Sequence, residues 1–204
     1  MRKLTALASL CVLFLMTSNA YGQQFDIKFG LGTVSAPSSS SASGNYSPQS
    51  IGGGVYPAFS GDYLFFRKYF GVGAELAWRA SRKSYELTNP PTPFRPLYYD
   101  FNAVWAPRVE PHIAPDLMAG IGAESVRAYN GQISCSGLTG SCTNYTSTNH
   151  FMGHFGGGLK LYPRGNFFFI EPEAHLYLIR HNYEFSSARA TRYGVSIGYT
   201  FGGQ

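Results

Sequence analysis

The stretch "FIEPEAHLYLI" sets Glu171, Glu173 and His175 at every second position, and "HFMGHFGGGLKLY" carries His154 and Lys160 in the same phase as one another. Two carboxylates and two imidazoles brought together could relay a proton or hold a divalent metal; beside lysine and arginine they could instead neutralise one another. Glu75 and Arg79 in "FGVGAELAWRA", Asp100 in "LYYDFNAVWA", Glu124 in "PDLMAGIGAE" and Arg192 in "RYGVSIGYTF" recur on the same kind of alternate position. The two histidines are joined by no metal-ligand spacing, so the reading preferred is a paired polar network of both signs, with no metal and no cofactor assigned.

Two cysteines lie apart from this set. "SCSGLTGSC" puts Cys135 and Cys142 in one connection with six residues between them, and in an exported chain a disulfide is the better reading than two thiols or half a zinc site. The third, Cys11, belongs to an apolar run near the start. "GVGAEL" and "GIGAES" open like dinucleotide-binding turns but lack the third glycine and a following helix.

The elements that must position these groups are strands. In "FDIKFGLGT", Phe25, Ile27, Phe29 and Leu31 alternate with Asp26, Lys28, Gly30 and Gly32. The closing "RYGVSIGYTF" sets Tyr193, Val195, Ile197, Tyr199 and Phe201 against Gly194, Ser196, Gly198 and Thr200. The same alternation returns along the chain, giving eight strands of about ten residues, enough to cross a bilayer at a tilt. The second, over residues 51–66, is the least regular; Pro57 cannot donate to a ladder, and a bulge or bend is expected there. Around "PRGN", positions summing to 329 should face one another. That sets His154 opposite His175, and Glu171 and Glu173 opposite Gly158 and Gly156.

Connections alternate long and short, with long ones at 35–50, 81–96, 128–148 and 180–189 and short ones between them. An even strand count with this rhythm puts both chain ends on the short-turn side. The polar parity is dominated by Gly, Ala and Ser with isolated charges, which suits a narrow interior rather than a water-facing surface. The apolar parity carries aromatics near strand ends, Phe70 and Tyr199 at one end and Tyr99 near the other, as two interfacial girdles require.

Composition agrees. Charged residues are 13% of the 204 and aromatics 16%, with 24 glycines; a soluble domain carries about 25% charged residues. Arg2 and Lys3, an apolar run to Met16 and small residues near Gly22 read as a signal peptide over residues 1–22, leaving 23–204 as one domain. Its removal takes two basic residues from 16 against 11 acidic, leaving +3, which needs no nucleic-acid partner.

Together these features resemble the small outer-membrane barrels of the OmpA/OmpX type. The resemblance implies an all-β, eight-stranded antiparallel up-and-down transmembrane barrel in the bacterial outer membrane, with lipid around it. It also implies that the terminal strand, Tyr193 to Phe201, is read by the barrel-assembly machinery. Gly202, Gly203 and Gln204 extend past the aromatic on which the family usually ends. The expected role is structural or surface-interactive, adhesion-like and non-catalytic, with an extracellular ligand for the long loops as its outward partner. A narrow porin is the alternative. A lipid A-modifying enzyme is the second alternative, but "RHNYEFSSAR", with His181, Glu184, Ser186 and Ser187, lacks the His-x-Ser arrangement of lipid A deacylases.

Overall fold

The computed structural model describes residues 23–36, 51–85, 91–129, 134–135, 142–163, 167–180 and 188–202. The signal-peptide segment 1–22, most of the Ser-rich connection 35–50, and His181, Glu184, Ser186 and Ser187 lie outside the described residues, as do Gly203 and Gln204.

Eight long strands make the wall: β1 (Gln24–Ser35), β2 (Tyr56–Phe66), β3 (Phe70–Trp78), β4 (Thr92–Trp105), β5 (Ile113–Ala128), β6 (Thr146–Leu161), β7 (Phe168–Ile179) and β8 (Arg189–Phe201). Each pairs antiparallel with the next, and β8 returns to β1 from Phe25↔Phe201 to Ser35↔Thr191, so the sheet closes without an edge. A short segment, Lys83–Tyr85, extends the β4 ladder beyond the wall. The pair Ser134–Cys135 and Cys142–Thr143 forms a separate two-residue ladder.

Side chains on a strand alternate between faces, so the period-2 sequence pattern becomes an inner and an outer surface. The apolar parity faces outward: Phe101 is 70% exposed, Ile121 60% and Phe151 57%. The charged parity faces inward, where Asp26, Asp116, His154, Lys160, Glu171, His175 and Arg192 are fully buried. A wall of exposed Phe, Leu, Ile and Val is stable only in hydrocarbon, and closure satisfies the backbone groups that hydrocarbon cannot. The protein is therefore an all-β, eight-stranded antiparallel transmembrane barrel.

Both described chain ends lie beside the short turns. The tightest turn joins β2 to β3, with Tyr69 N–H donating to Phe66 C=O at 2.9 Å. Its central residues, Arg67 and Lys68, have φ of 52° and 58°, the left-handed pair that matches the twist of a two-residue hairpin, although neither is glycine.

Two expectations of detail are corrected. β2 begins at Tyr56, not Ile51; its irregularity falls between Leu64 and Phe66 rather than at Pro57. Pro57 sits at the strand's start, opposite Leu31 of β1 and before the β3 ladder begins at Ala58↔Ala77, and the ladder runs through it without a shift. In the β6–β7 hairpin the facing positions sum to 331, as in Glu173↔Gly158, His175↔Gly156 and Tyr177↔His154. Tyr162 and Phe169 flank this turn, both buried, with ring centroids 5.5 Å apart. A two-residue shift preserves parity, so every inner side chain stays inside.

The interior is layered. At the long-loop end Val34, Ile51, Tyr56, Phe94, Tyr98, Val126, Met152 and Ile179 form an apolar stopper. At the short-turn end Leu64, Val104 and Met118 form one small cluster and Ala114, Tyr162 and Phe169 another. Most of the buried charges lie between these stoppers.

Candidate functional site

The interior charges sort into two groups. Nearer the short turns, Lys28 and Lys160 are shared among four carboxylates. Lys28 Nζ lies 3.1 Å from Asp116 Oδ2, 3.1 Å from Glu171 Oε2 and 3.7 Å from Asp62 Oδ2. Lys160 Nζ lies 2.7 Å from Asp26 Oδ2, 3.0 Å from Asp116 Oδ2 and 3.6 Å from Asp62 Oδ2. Gln24 donates to both oxygens of Asp26 at 3.0 and 3.1 Å. Room for this cluster comes from the missing side chain at Gly158, where a Cβ would collide with the Glu171 carboxyl.

Nearer the long loops, Arg192 organises a second network. Its Nη2 is 2.7 Å from Glu75 Oε2, its Nη1 3.1 Å from Glu173 Oε1, and its Nε donates to Tyr177 Oη at 3.1 Å. Tyr177 in turn donates to Glu75 Oε1 at 3.0 Å and stacks on Tyr98 with ring centroids 4.7 Å apart. One guanidinium fork thus serves three partners, which suits its fixed donor geometry better than an ammonium would.

His154 and His175 complete this network. They are not directly opposite, but their rings lie edge to edge and nearly coplanar, centroids 5.1 Å apart at 6°, and His154 Nε2 meets His175 Nδ1 at 2.9 Å. His154 Nδ1 reaches Asn102 Oδ1 at 2.7 Å and Asp100 Oδ1 at 3.2 Å. His175 Nε2 lies 3.5 Å from Glu173 Oε1, and its Nδ1 3.7 Å from Glu75 Oε1.

Glu75, His154 and His175 offer ligand atoms within 4.8 Å of one another, the arrangement a metal ion would need. The distances favour a proton instead. Two nitrogens on one tetrahedral zinc, each at about 2.0 Å, would stand about 3.3 Å apart; here the separation is 2.9 Å, a hydrogen bond. Glu75 is already engaged by Arg192 and Tyr177, so a second positive centre would face a guanidinium at close range.

Of the residues the sequence singled out, Glu75, Asp100, His154, Glu173, His175 and Arg192 meet in the upper network, and Lys160 and Glu171 in the lower. Arg79 and Glu124 lie a layer higher, bearing on Tyr56; Arg79 Nε and Nη1 have no hydrogen-bond partner among the described residues. The sequence reading lacked Lys28, Asp26, Asp116 and Asn102, which stood on the inner parity and needed only to be counted. Asp62 was hidden by the broken period of β2. Tyr98 stands beside Asp100 and Asn102 on the inner parity and Tyr177 continues that of Glu173 and His175, but an aromatic ring carries no sign in the sequence that it will join a charge network. Cys135 lies directly across the ladder from Cys142.

No family model matches the chain, and no curated protein is matched by it. Solved structures do match. Neisserial surface protein A superposes with a TM-score of 0.56 at 12% identity, covering 88% of this chain and 97% of that one. Ail, the attachment invasion locus protein of Yersinia pestis, in complex with the heparin analogue sucrose octasulfate, gives 0.53 at 16%, with coverage of 88% and 97%. The fold is that of the small outer-membrane barrels. A major outer membrane protein from Thermus thermophilus extends the likeness, at 0.53 and 11% identity over 88% and 99% of the two chains. At these identities the likeness is one of architecture.

Proposed function

We propose that this protein is a structural, surface-interacting barrel of the bacterial outer membrane, exported by residues 1–22 and without catalysis. The observation that carries the reading is the interior: two ion-pair networks held between apolar stoppers, with Lys28, Lys160, His154, His175 and Arg192 at 1% exposure or less. Such a lumen stiffens the wall rather than conducts, because water and ions have no space beside the charges that would guide them. What remains for interaction with the outside is the long-loop end. The Cys135–Cys142 pair would brace the third long loop as a disulfide, and the aromatic parity of β8, from Tyr193 to Phe201, would be presented to the assembly machinery.

Planar-bilayer recording of the refolded protein separates this reading from a narrow porin: no unitary conductance is expected, and reproducible channel steps would overturn it. Deletion of residues 37–50 or 136–141 should reduce binding of whole cells to a surface ligand while leaving the heat-shifted gel migration of a folded barrel intact. Unchanged binding after both deletions would remove the adhesive part. Lipid A of identical mass with and without the protein is expected for a non-enzyme.

A further inference from the structure

Three arginines gather on the outer wall at its long-loop rim. Arg95 on β4 and Arg127 on β5 are directly opposite in the ladder and share the lipid-facing parity. Like charges set across a strand pair repel, so this placement costs stability unless an anion sits between them. Arg82 joins them through aromatics: it lies 3.8 Å over the Tyr129 ring, Tyr129 meets Tyr145 at 5.9 Å, and Arg127 lies 5.1 Å over Tyr145. Stacking on a ring occupies the face of a guanidinium and leaves its N–H edge free for an oxyanion.

Among the described residues no hydrogen bond or ion pair occupies the guanidinium donors of Arg82 and Arg127, which rest on the two tyrosine rings. Arg95 spends Nη2 on Ala80 C=O at 3.1 Å, and its buried Nε has no hydrogen-bond partner among the described residues. Among the described residues no carboxylate forms an ion pair with Arg82, Arg95 or Arg127, whereas the interior pairs nearly all of its charge. Ser147 on β6, exposed and opposite Arg127, adds a hydroxyl.

Height fixes what the anion belongs to. From Trp105 up β4, the outward residues run through Phe101 and Tyr99 to Arg95, ten positions in all. At about 3.3 Å per residue and a tilt of about 40°, Arg95 stands about 25 Å above Trp105, the height of the apolar band and hence the level of the headgroups.

We propose that Arg82, Arg95 and Arg127, framed by Tyr129 and Tyr145, bind a phosphate of the phosphorylated glycolipid in the outer leaflet. The proposal rests on the outer-membrane reading above, with long loops outward. Bidentate guanidinium contacts take the phosphate oxygens, the stacked tyrosines hold the forks in place, and the acyl chains lie on Phe101 and Ile121 below.

The test uses the mature protein refolded in phosphatidylcholine vesicles, with and without diphosphoryl lipid A or its dephosphorylated analogue. Diphosphoryl lipid A is expected to bind about tenfold tighter than the dephosphorylated form, and Arg95→Gln with Arg127→Gln to erase that difference. Equal binding of the two lipids by the wild-type protein overturns the proposal, and needs no variant to fold. Inorganic phosphate competing as well as the lipid would make this a free-anion site and overturn the lipid assignment. Failure of the membrane reading shows separately: an epitope inserted between residues 37 and 50 would then be inaccessible on intact cells, whatever the lipid result.

Discussion

The two interior networks solve the same problem in different ways. In the lower one, two lysines divide themselves among Asp26, Asp62, Asp116 and Glu171, so acceptors outnumber permanent cations. In the upper one, a single arginine takes two glutamates and a phenol, and two hydrogen-bonded histidines supply further donors. Lysine's compact ammonium can be shared by several oxygens without fixing any of them, while arginine's planar fork fixes each partner's place. The lower network is crowded with negative charge and depends on its cations. The upper depends on geometry.

That contrast ranks the substitutions. Lys160→Met should cost the most, about 3–5 kcal/mol, because it leaves buried Asp26 and Asp116 without their nearest cation. Arg192→Leu should cost somewhat less, since His175 already faces both Glu75 and Glu173. Urea unfolding of the two variants in lipid vesicles, followed by tryptophan fluorescence, checks the order; an Arg192 effect larger than the Lys160 effect would break the comparison.

A charge on the wall probes the opposite surface. Ile121→Arg, at an exposed apolar position, should destabilise by about 2–4 kcal/mol near the midplane, measured in the same vesicles, and no interior partner can rescue it. Tyr177→Phe should cost about 1–3 kcal/mol, because Glu75 Oε1 and Arg192 Nε both lose a buried hydrogen-bond partner. The same hydroxyl deletion at exposed Tyr193 should fall within the error of the unfolding curve.

Among the buried charges, the smallest effect is expected at Asp62. Among the described residues Asp62 pairs with the two lysines only through Oδ2, at 3.6 and 3.7 Å, and that oxygen has no hydrogen bond. Asp62→Asn should therefore leave stability within about 1 kcal/mol or raise it, because it relieves the carboxylate excess. A loss comparable to that of Lys160→Met would show that the lower network is as geometrically fixed as the upper.

Much of this was legible without coordinates. The alternation in "FDIKFGLGT" and "RYGVSIGYTF" places Asp26, Lys28 and Ser196 inside and Phe29, Val195 and Ile197 outside, because the side-chain period of a strand is two whatever its neighbours. The rhythm of long and short connections follows equally from chain order. Asp62 was not legible: "IGGGVYPAFSGDYLFF" mixes glycine, proline and aromatics, and its phase is set only by pairing with β1 and β3.

The sequence by itself determined the strand count, the inward face and the closure of β8 on β1, since hydrocarbon admits no free edge and no outward charge. Which inner charges meet is a matter of register, stagger and side-chain reach around a closed wall. A two-residue difference in one hairpin put Tyr177 rather than His175 across from His154, and the histidines still met diagonally through a hydrogen bond. Residues as distant in the chain as Lys28 and Glu171, or Lys160 and Asp26, come into contact only when the circle closes. The outer arginine cluster has the same origin, for Arg82, Arg95 and Arg127 are unconnected in the sequence until a ladder and two tyrosines bring them together.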